Sequence, residues 1–411
     1  MSTPKKIPLR AEVPAKNCWN LDSLYPSDSA WEEDLKILAG KIEPITSFQG
    51  KLHTSAQQLA DCLHFITETE ILDERLGYYA HLRYSEDAGD STRQDRWARY
   101  LQLSTRISTA ASFLAPEILS IPDSSMQQFL TEDCLQDFGI YLHKILRNKP
   151  YTLSEKEERL LAMQAEANQT ASKTFNALND VDMDFGAVAT PEGEIPLSHS
   201  SFGSLLQHSD RNIRKQAYNQ FYQQYEAHKN TLASLYSGSI QLDIYRAKVR
   251  GFSSARAAKL FADDVPESVY ETLIEQVHAA FPTLHRYYAL RAKQLGLHKI
   301  HMYDTKVPLI PDVRMNHSYT EAVDLVCEAV APLGSEYVST MRDGLLGGWV
   351  DRYENRGKRS GAFSAGSYQG DPYILLNYKQ DVLRDVFTLA HEAGHSMHSW
   401  YSARSNPFQH Y

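Results

Sequence analysis

The sequence is poor in cysteine. Its four cysteines (Cys18, Cys62, Cys134 and Cys327) are far apart, and no two of them form a Cys-x-x-Cys pattern. A framework of disulfides stabilising a small secreted domain is therefore not indicated. The pattern is typical of reduced, mostly buried thiols, and we expect a cytoplasmic protein.

The sequence also lacks long hydrophobic runs and an excess of positive charge. No run of 18 apolar residues occurs, and the first residues lack the apolar region of a secretory signal, so no membrane association is predicted. With 42 basic and 51 acidic residues, the formal net charge is −9, which argues against a nucleic-acid-binding surface. The length of 411 residues and the 42% hydrophobic content fit a globular chain of two or three domains.

Most of the chain shows the hydrophobic periodicity of amphipathic helices. One apolar stripe is spaced by three or four positions throughout and consists of Leu52, Ala56, Leu59, Leu63 and Ile66. Ser154 and Glu157 form a capping-box pattern at the start of a later helix. We therefore predict a mainly α fold. An island of β pattern at residues 183–197 predicts a hairpin, and we place a domain boundary after residue 198.

Near the C-terminus, His391-Glu392-Ala393-Gly394-His395 forms an H-E-x-x-H motif. Apolar residues recur at helical intervals before it, with Asp381 as the expected N-cap and Asn406-Pro407 as the expected end. Residues four apart lie on one face of a helix, so His391 and His395 can bind one zinc ion, with Glu392 beside a bound water.

The motif has an alternative interpretation as a chance match on a helical scaffold. Gly394 favours the metal-site interpretation. A glycine inside a helix costs about 1 kcal/mol relative to alanine, so its presence calls for a packing or functional reason. The extended metzincin pattern is excluded, because its glycine and third-histidine positions are occupied by His398 and Tyr401.

Two stretches before the motif indicate short strands. Residues 357–366 are rich in glycine and small side chains, and residues 372–378 are apolar. Glycine lets another backbone approach a sheet edge, and such an edge can hold an extended peptide. The candidate substrate-binding residues are Gly361, Ala362, Phe363 and Ser364. The alternative is a structural hairpin that binds no ligand.

The sequence resembles the oligoendopeptidase F family, which comprises bacterial relatives of thimet oligopeptidase, over essentially its whole length. The similar stretches are Trp19-Asn20-Leu21, residues 251–255, residues 361–364, residues 372–378 and residues 391–398. The resemblance implies a mainly α, two-lobed, zincin-like metallopeptidase, with small β elements next to the active-site helix and zinc deep in a channel. Such enzymes cleave short peptides.

The resemblance also assigns roles to individual residues. It identifies His391 and His395 as ligands of one Zn2+ per chain and Glu392 as the catalytic base. Residues 1–198 then form the N-terminal helical lobe, which ends in the hairpin, and residues 199–411 form the metallopeptidase catalytic domain.

The chain departs from the family pattern after the motif. The family's third zinc ligand is a glutamate a couple of dozen residues beyond the H-E-x-x-H, followed by a histidine and a tyrosine that stabilise the transition state. Only 16 residues follow His395 (411 − 395), and none is Asp or Glu. We therefore expect a C-terminally truncated chain. His410 is considered as a substitute ligand, with an ordinary loop role favoured, and for His398 a supporting or core role is favoured over ligation.

Two functions follow from these observations. The first is a cytoplasmic, zinc-dependent endopeptidase that hydrolyses short oligopeptides with Glu392 as general base. The alternative is an inactive helical fragment that binds peptides or a separate C-terminal fragment.

Overall fold

A computed structural model of the chain describes residues 7–164, 167–191, 193–310 and 316–411. The helices are α1 (Asp28–Gly40), α2 (Ile42–Thr46), α3 (Ala56–Glu86), α4 (Ser91–Ala110), α5 (Leu114–Ser120), α6 (Asp123–Phe129), α7 (Gly139–Arg147), α8 (Glu155–Met163), α9 (Thr170–Ala177), α10 (His199–Leu205), α11 (Arg211–Ala227), α12 (Lys229–Val249), α13 (Ala255–Ala262), α14 (Glu267–Gln294), α15 (Tyr319–Ala329), α16 (Ser335–Leu346) and α17 (Leu383–Ser405). The strands are β1 (Ala187–Thr190), β2 (Gly193–Pro196), β3 (Val350–Asp351), β4 (Phe363–Ala365) and β5 (Tyr373–Leu375).

The mainly α fold class is confirmed, and three of the small strands lie in the sequence just before α17. Helix starts follow capping chemistry: the side chain of Asp90 accepts hydrogen bonds from the first turn of α4, and Ser154 and Glu157 form the predicted reciprocal box. Within the described ranges, no helix is long and apolar enough to cross a membrane.

The chain divides into two compact units. One combines Met1–Lys149 with Arg314–Tyr411, and the other is Pro150–Val313. The predicted boundary after residue 198 lies inside the second unit, where hairpin residue Phe185 stacks on Phe221 of α11 with ring centroids 4.5 Å apart. The two compact units do not coincide with the domains predicted from the sequence, residues 1–198 and 199–411. The assignment of catalysis to residues 199–411 therefore stays a prediction.

The helical core of the first unit is built around the long helix α3. Leu59 and Tyr79 of α3 are buried against Trp31 of α1, and the Trp31 indole N–H donates to the carbonyl of Leu76 at 3.0 Å. Because a buried indole N–H needs a partner, this bond fixes α1 against α3 while the ring supplies apolar contact.

A three-stranded sheet in the first unit has the order β3-β5-β4, with β3 parallel and β4 antiparallel to β5. Side chains alternate between its faces. Tyr373 and Leu375 join the α3 core, whereas Ile374 and Leu376 join a second core that includes Ala393 of α17. The sheet therefore has apolar contacts on both faces, as expected from a period of two along each strand.

The second unit contains the predicted hairpin, in which β1 pairs antiparallel with β2. A buried ion cluster also stabilises this unit, because the fully buried carboxylate of Asp304 accepts from Arg211 and Arg214, both at 2.9 Å. These hydrogen bonds from the two arginines lower the pKa of Asp304 although burial alone would raise it.

The four cysteines are free thiols. Cys62 and Cys327 are buried, and Cys18 and Cys134 are half-buried. This arrangement agrees with the prediction of reduced thiols. Of the four thiols, which were predicted to be mostly buried, two are buried.

Candidate metal centre

The motif lies near the middle of α17, a 23-residue helix. Its buried face consists of Leu389, Glu392, Ala393, Ser396 and Met397. The predicted C-terminal end at Asn406 is confirmed, but the prediction of Asp381 as N-cap is wrong. Val382 occupies the capping position in extended conformation without a side-chain cap, and the carboxylate of Asp385 in the first turn accepts instead from the backbone N–H of Lys379 at 2.8 Å.

His391 and His395 are brought together one helical turn apart on the exposed side of α17. Their Nε2 atoms are 3.1 Å apart, and their rings are nearly perpendicular at 86°. Two nitrogens bound to one tetrahedral zinc at about 2.0–2.1 Å stand about 3.3–3.4 Å apart, so this pair fits two positions of such a site. The distance also suits a hydrogen bond between the two rings.

Glu392 follows His391 in the sequence and lies on the neighbouring, buried face of the helix, about 100° round the axis from His391. It is 8% exposed, whereas both histidines are exposed. Within the described residues, no hydrogen bond or ion pair engages its carboxylate. A carboxylate that is largely removed from bulk water and not bound by protein donors is available as a proton acceptor.

A third metal ligand is not supplied by the described part of the chain. No group of three or more His, Cys, Asp or Glu side chains that could hold a metal occurs there. His398 is exposed on α17, so a core role is wrong for it, and the supporting role stays a prediction. His410 lies in a short turn whose neighbour Tyr411 donates to the carboxylate of Glu74 on α3. The donor set for a metal is therefore the two imidazoles of the motif.

Gly394 has open space around it. A Cβ atom built there would meet no heavy atom within 4 Å outside its own helix backbone. The described residues therefore give no packing reason for a glycine inside this helix. A functional reason is the remaining explanation.

Strand β4 lies directly against the motif helix. The hydroxyl groups of Ser364 and Ser396 are 2.8 Å apart, and a Cβ added to Gly366 would lie 2.2 Å from the Cβ of Ser399. Ala362 also packs on the core that contains Ala393. Alternate residues of this stretch therefore face α17, and the strand runs along the helix past the buried side of the motif.

The outer edge of the sheet is formed by β4. The N–H groups of Ile374 and Leu376 donate to the carbonyls of Trp349, just before β3, and of Asp351 in β3. The backbone groups of Tyr373 and Leu375 are therefore directed towards β4. Their partners are Ala365 and Phe363. It follows that the N–H and C=O groups of Ser364 are directed away from β5, at the edge, where a further strand could pair.

Phe363 is held by residues that the sequence reasoning missed. The His81 ring lies between Trp97 and Phe363, with centroid distances of 5.2 and 5.6 Å, and the guanidinium of Arg359 lies over the Phe363 ring. Burial and, to a smaller extent, Arg359 lower the pKa of His81. The contact between His81 and Phe363 joins positions about 280 residues apart, for which a single sequence carries no periodic signal.

Comparison with known proteins gives the chain's relationships. A family model described as "Peptidase family M3" matches residues 204–410, which is half of the chain, and one described as "Oligopeptidase F" matches residues 117–185. The chain belongs to peptidase family M3. The predicted resemblance to oligoendopeptidase F is thereby confirmed.

Individual relatives of this family match nearly the whole chain. Oligopeptidase PepF of Bacillus subtilis is 39% identical over 98% of this chain, and an oligoendopeptidase F homolog of Borreliella burgdorferi is 36% identical over 98%. The chain spans 60% of the first relative and 68% of the second.

Solved structures agree with this relationship. A Chlamydophila abortus protein superposes with a TM-score of 0.88 at 33% identity, covering 98% of this chain and 68% of that one. Oligoendopeptidase-F of Enterococcus faecium superposes with a TM-score of 0.59 at 33% identity, covering 78% and 60%. The chain thus carries the fold of an M3-family peptidase.

Proposed function

We propose that the chain is a zinc-dependent endopeptidase for short peptides, with His391 and His395 as metal ligands and Glu392 as general base. The observation that carries this proposal is the 3.1 Å separation of the two Nε2 atoms on one face of α17, with Glu392 adjacent in the sequence. Membership of a peptidase family supports hydrolysis of peptide bonds as the reaction.

A zinc ion held by the two imidazoles would supply Lewis-acid polarisation of the scissile carbonyl and acidification of a bound water. The protein's own contribution starts with Glu392, whose carboxylate accepts a proton from the attacking water and passes it to the leaving amine. Among the described residues no hydrogen-bond donor occupies this carboxylate, so its oxygens are available to the water.

Substrate would be held by the outer edge of β4. The peptide pairs with the free N–H and C=O groups of Ser364, and the open position at Gly361 leaves space beside the strand. Gly361, Ala362, Phe363 and Ser364 are the proposed contact segment. Main-chain pairing accepts many side chains, so a peptide would be selected by its extended backbone.

The proposed role of Glu392 is tested by Glu392→Gln. After equilibration with zinc, we expect the variant to keep the metal content of the unmodified chain and to lose hydrolysis of a fluorogenic oligopeptide, because an amide cannot accept the proton. A chelator should abolish turnover in the unmodified chain. Turnover that survives in the zinc-bound Glu392→Gln variant would contradict the assignment of the base.

The alternative function is a non-catalytic module that binds peptides or a separate C-terminal fragment. One observation favours it, namely that the described residues supply two metal ligands whereas catalytic zinc sites keep three protein ligands. Peptide binding with no turnover at saturating zinc would support this function. The free thiols support a cytoplasmic location for either function.

A further inference from the structure

The first unit contains a cavity of about 1140 Å3 that no residue of α17 lines. Four segments surround it: the N-terminal segment (residues 9–20), the end of α3, the start of α4 and the turn between α16 and β3. The volume slightly exceeds the range of about 300–1,000 Å3 that is usual for small-molecule sites. The cavity is therefore distinct from the candidate metal centre and large enough for an organic ligand.

The charge of this cavity has the opposite sign to that of the chain. Its cationic lining residues are Arg10, Lys16, Arg83, Arg93 and Arg352, and its acidic lining residues are Glu86, Asp87 and Asp90. The lining thus carries a formal charge of 5 − 3 = +2, whereas the whole chain carries −9. Burial raises the pKa of the Cys18 thiol, so this lining residue adds no negative charge at neutral pH.

The acidic groups of the lining are already engaged. The Glu86 side chain is 1% exposed, and its carboxylate accepts from Arg93 at 2.6 Å and from the Trp19 indole at 2.8 Å. Asp90 caps α4, and Asp87 accepts from the backbone N–H of Gly89 at 3.0 Å. These carboxylates therefore have protein donors of their own.

Arg10 is engaged by Glu86, Asp351 and Asn355, whereas Arg83, Arg93 and Lys16 retain unused donors. Arg83 makes two long hydrogen bonds, to the Tyr79 hydroxyl and to Glu86, both at 3.4 Å, and its side chain is 36% exposed. A guanidinium has five N–H donors, so most of those on Arg83 are free for a ligand among the described residues. Arg93 donates to Glu86 and to the Arg83 carbonyl through Nη1, and its Nε lies 3.8 Å from the Asp90 carboxylate, so the donors of Nη2 are free for a ligand among the described residues. Lys16 is exposed on the facing N-terminal segment.

Apolar side chains complete the lining. They are Leu9, Ala11, Val13, Ala15, Trp19 and Leu346. We propose that this cavity binds a small organic anion, whose carboxylate or phosphate group is held by Arg83 and Arg93 with Lys16 opposite, and whose apolar body packs on the N-terminal segment. Paired guanidinium groups match the planar arrangement of carboxylate and phosphate oxygens. Such a ligand joins the N-terminal segment to α3 and α4 and stabilises the first unit by mass action.

Calorimetric titration of the full chain tests this site with three probes that share an aromatic body. Phenyl phosphate and phenylacetate carry the two anionic groups, and benzylamine carries a cation. We expect saturable binding of at least one anion with Kd below about 1 mM, weakened by added salt, and no saturable binding of benzylamine. The tighter of the two anions identifies the preferred head group.

Three variants locate the binding. Arg83→Gln should weaken binding of the anion by about tenfold or more, because a charge-assisted bond is lost. Lys16→Gln, at an exposed position whose side chain makes no hydrogen bond or ion pair among the described residues, should weaken it by about threefold while leaving the fold unchanged. Arg106→Gln removes the same charge from an exposed position of α4 outside this cavity and should leave binding unchanged.

Absence of saturable binding for both anions would overturn the proposal. Equal weakening by Arg106→Gln, or binding unaffected by both Arg83→Gln and Lys16→Gln, would show that the anions bind elsewhere and would overturn it as well. Benzylamine binding as tight as that of the anions would refute the assigned charge preference.

Discussion

Ser364 on the edge strand β4 and Ser396 on the motif helix are joined by their hydroxyl groups at a distance of 2.8 Å. This contact links the proposed peptide-binding edge to the helix that carries His391, Glu392 and His395. Ser396 is fully buried, so its hydroxyl group needs a hydrogen-bond partner within the protein. The Ser364 hydroxyl supplies that partner and avoids the free-energy cost of an unpaired buried group.

A double-mutant cycle tests this link. Ser364→Ala and Ser396→Ala should each lower the free energy of unfolding by about 1–2 kcal/mol, because each leaves one hydroxyl without its partner. The double variant should be less destabilised than the sum, with a coupling of about 1 kcal/mol measured by chemical denaturation. Simple additivity would contradict the contact.

A second prediction concerns the close approach of β4 and α17 at Gly366. Gly366→Ala should destabilise the chain by about 1–3 kcal/mol, because the new Cβ would lie 2.2 Å from both the Cβ and the Oγ of Ser399. Ser399→Gly in the same chain should restore part of the loss by removing the clashing atoms. An unchanged midpoint of thermal unfolding in Gly366→Ala would show that β4 and α17 are farther apart at this position than the structure places them.

In contrast to Gly366→Ala, we expect Gly394→Ala on α17 to stabilise the chain. A Cβ at this position meets nothing within 4 Å, and alanine is favoured over glycine inside a helix. The free energy of unfolding should rise by about 1 kcal/mol. A fall in turnover or zinc content together with a rise in stability would show that Gly394 has a functional role, which offsets its cost to helix stability. A decrease in stability would contradict the open space.

The pH dependence of stability should report on His81. Burial lowers its pKa from the ordinary value of 6.5, so the unfolded chain binds a proton on this side chain more readily than the folded chain. The stabilisation is present above pH 6.5 and is lost as the pH falls from 6.5 through the lowered pKa. His81→Phe keeps a ring against Phe363 and should flatten this part of the profile.

The matched control for this profile is His53→Phe, at an exposed position of the same unit. It should leave the slope between pH 7 and pH 5 unchanged. An equal change of slope in both variants would mean that the acid sensitivity of the chain arises from other groups.

The sequence allowed prediction of the parts of the site that lie close together along the chain. The spacing of His391 and His395 fixes their approach, because a helix places residues four apart on one face. The hairpin and the two strands before α17 were also predictable from short local patterns. The start of α17 was not, because Asp385 within the first turn and an extended Val382 take the place of a side-chain cap at Asp381.

Contacts between distant positions could not be predicted in this way. The His81–Phe363 and Arg10–Glu86 contacts depend on how helices and loops pack, and no periodicity in one segment encodes its partner. The same holds for strand β3, where a two-residue strand at Val350–Asp351 gives too short a pattern to recognise.

The most direct measurement is the zinc content of the purified chain after dialysis against zinc, compared among three variants of one helix. We predict one zinc per chain, near-complete loss in His391→Ala and in His395→Ala, and no change in His398→Ala, which removes an exposed histidine from the same helix. Zinc content that is near zero in the unmodified chain, or that falls equally in all three variants, would contradict a metal centre at His391 and His395.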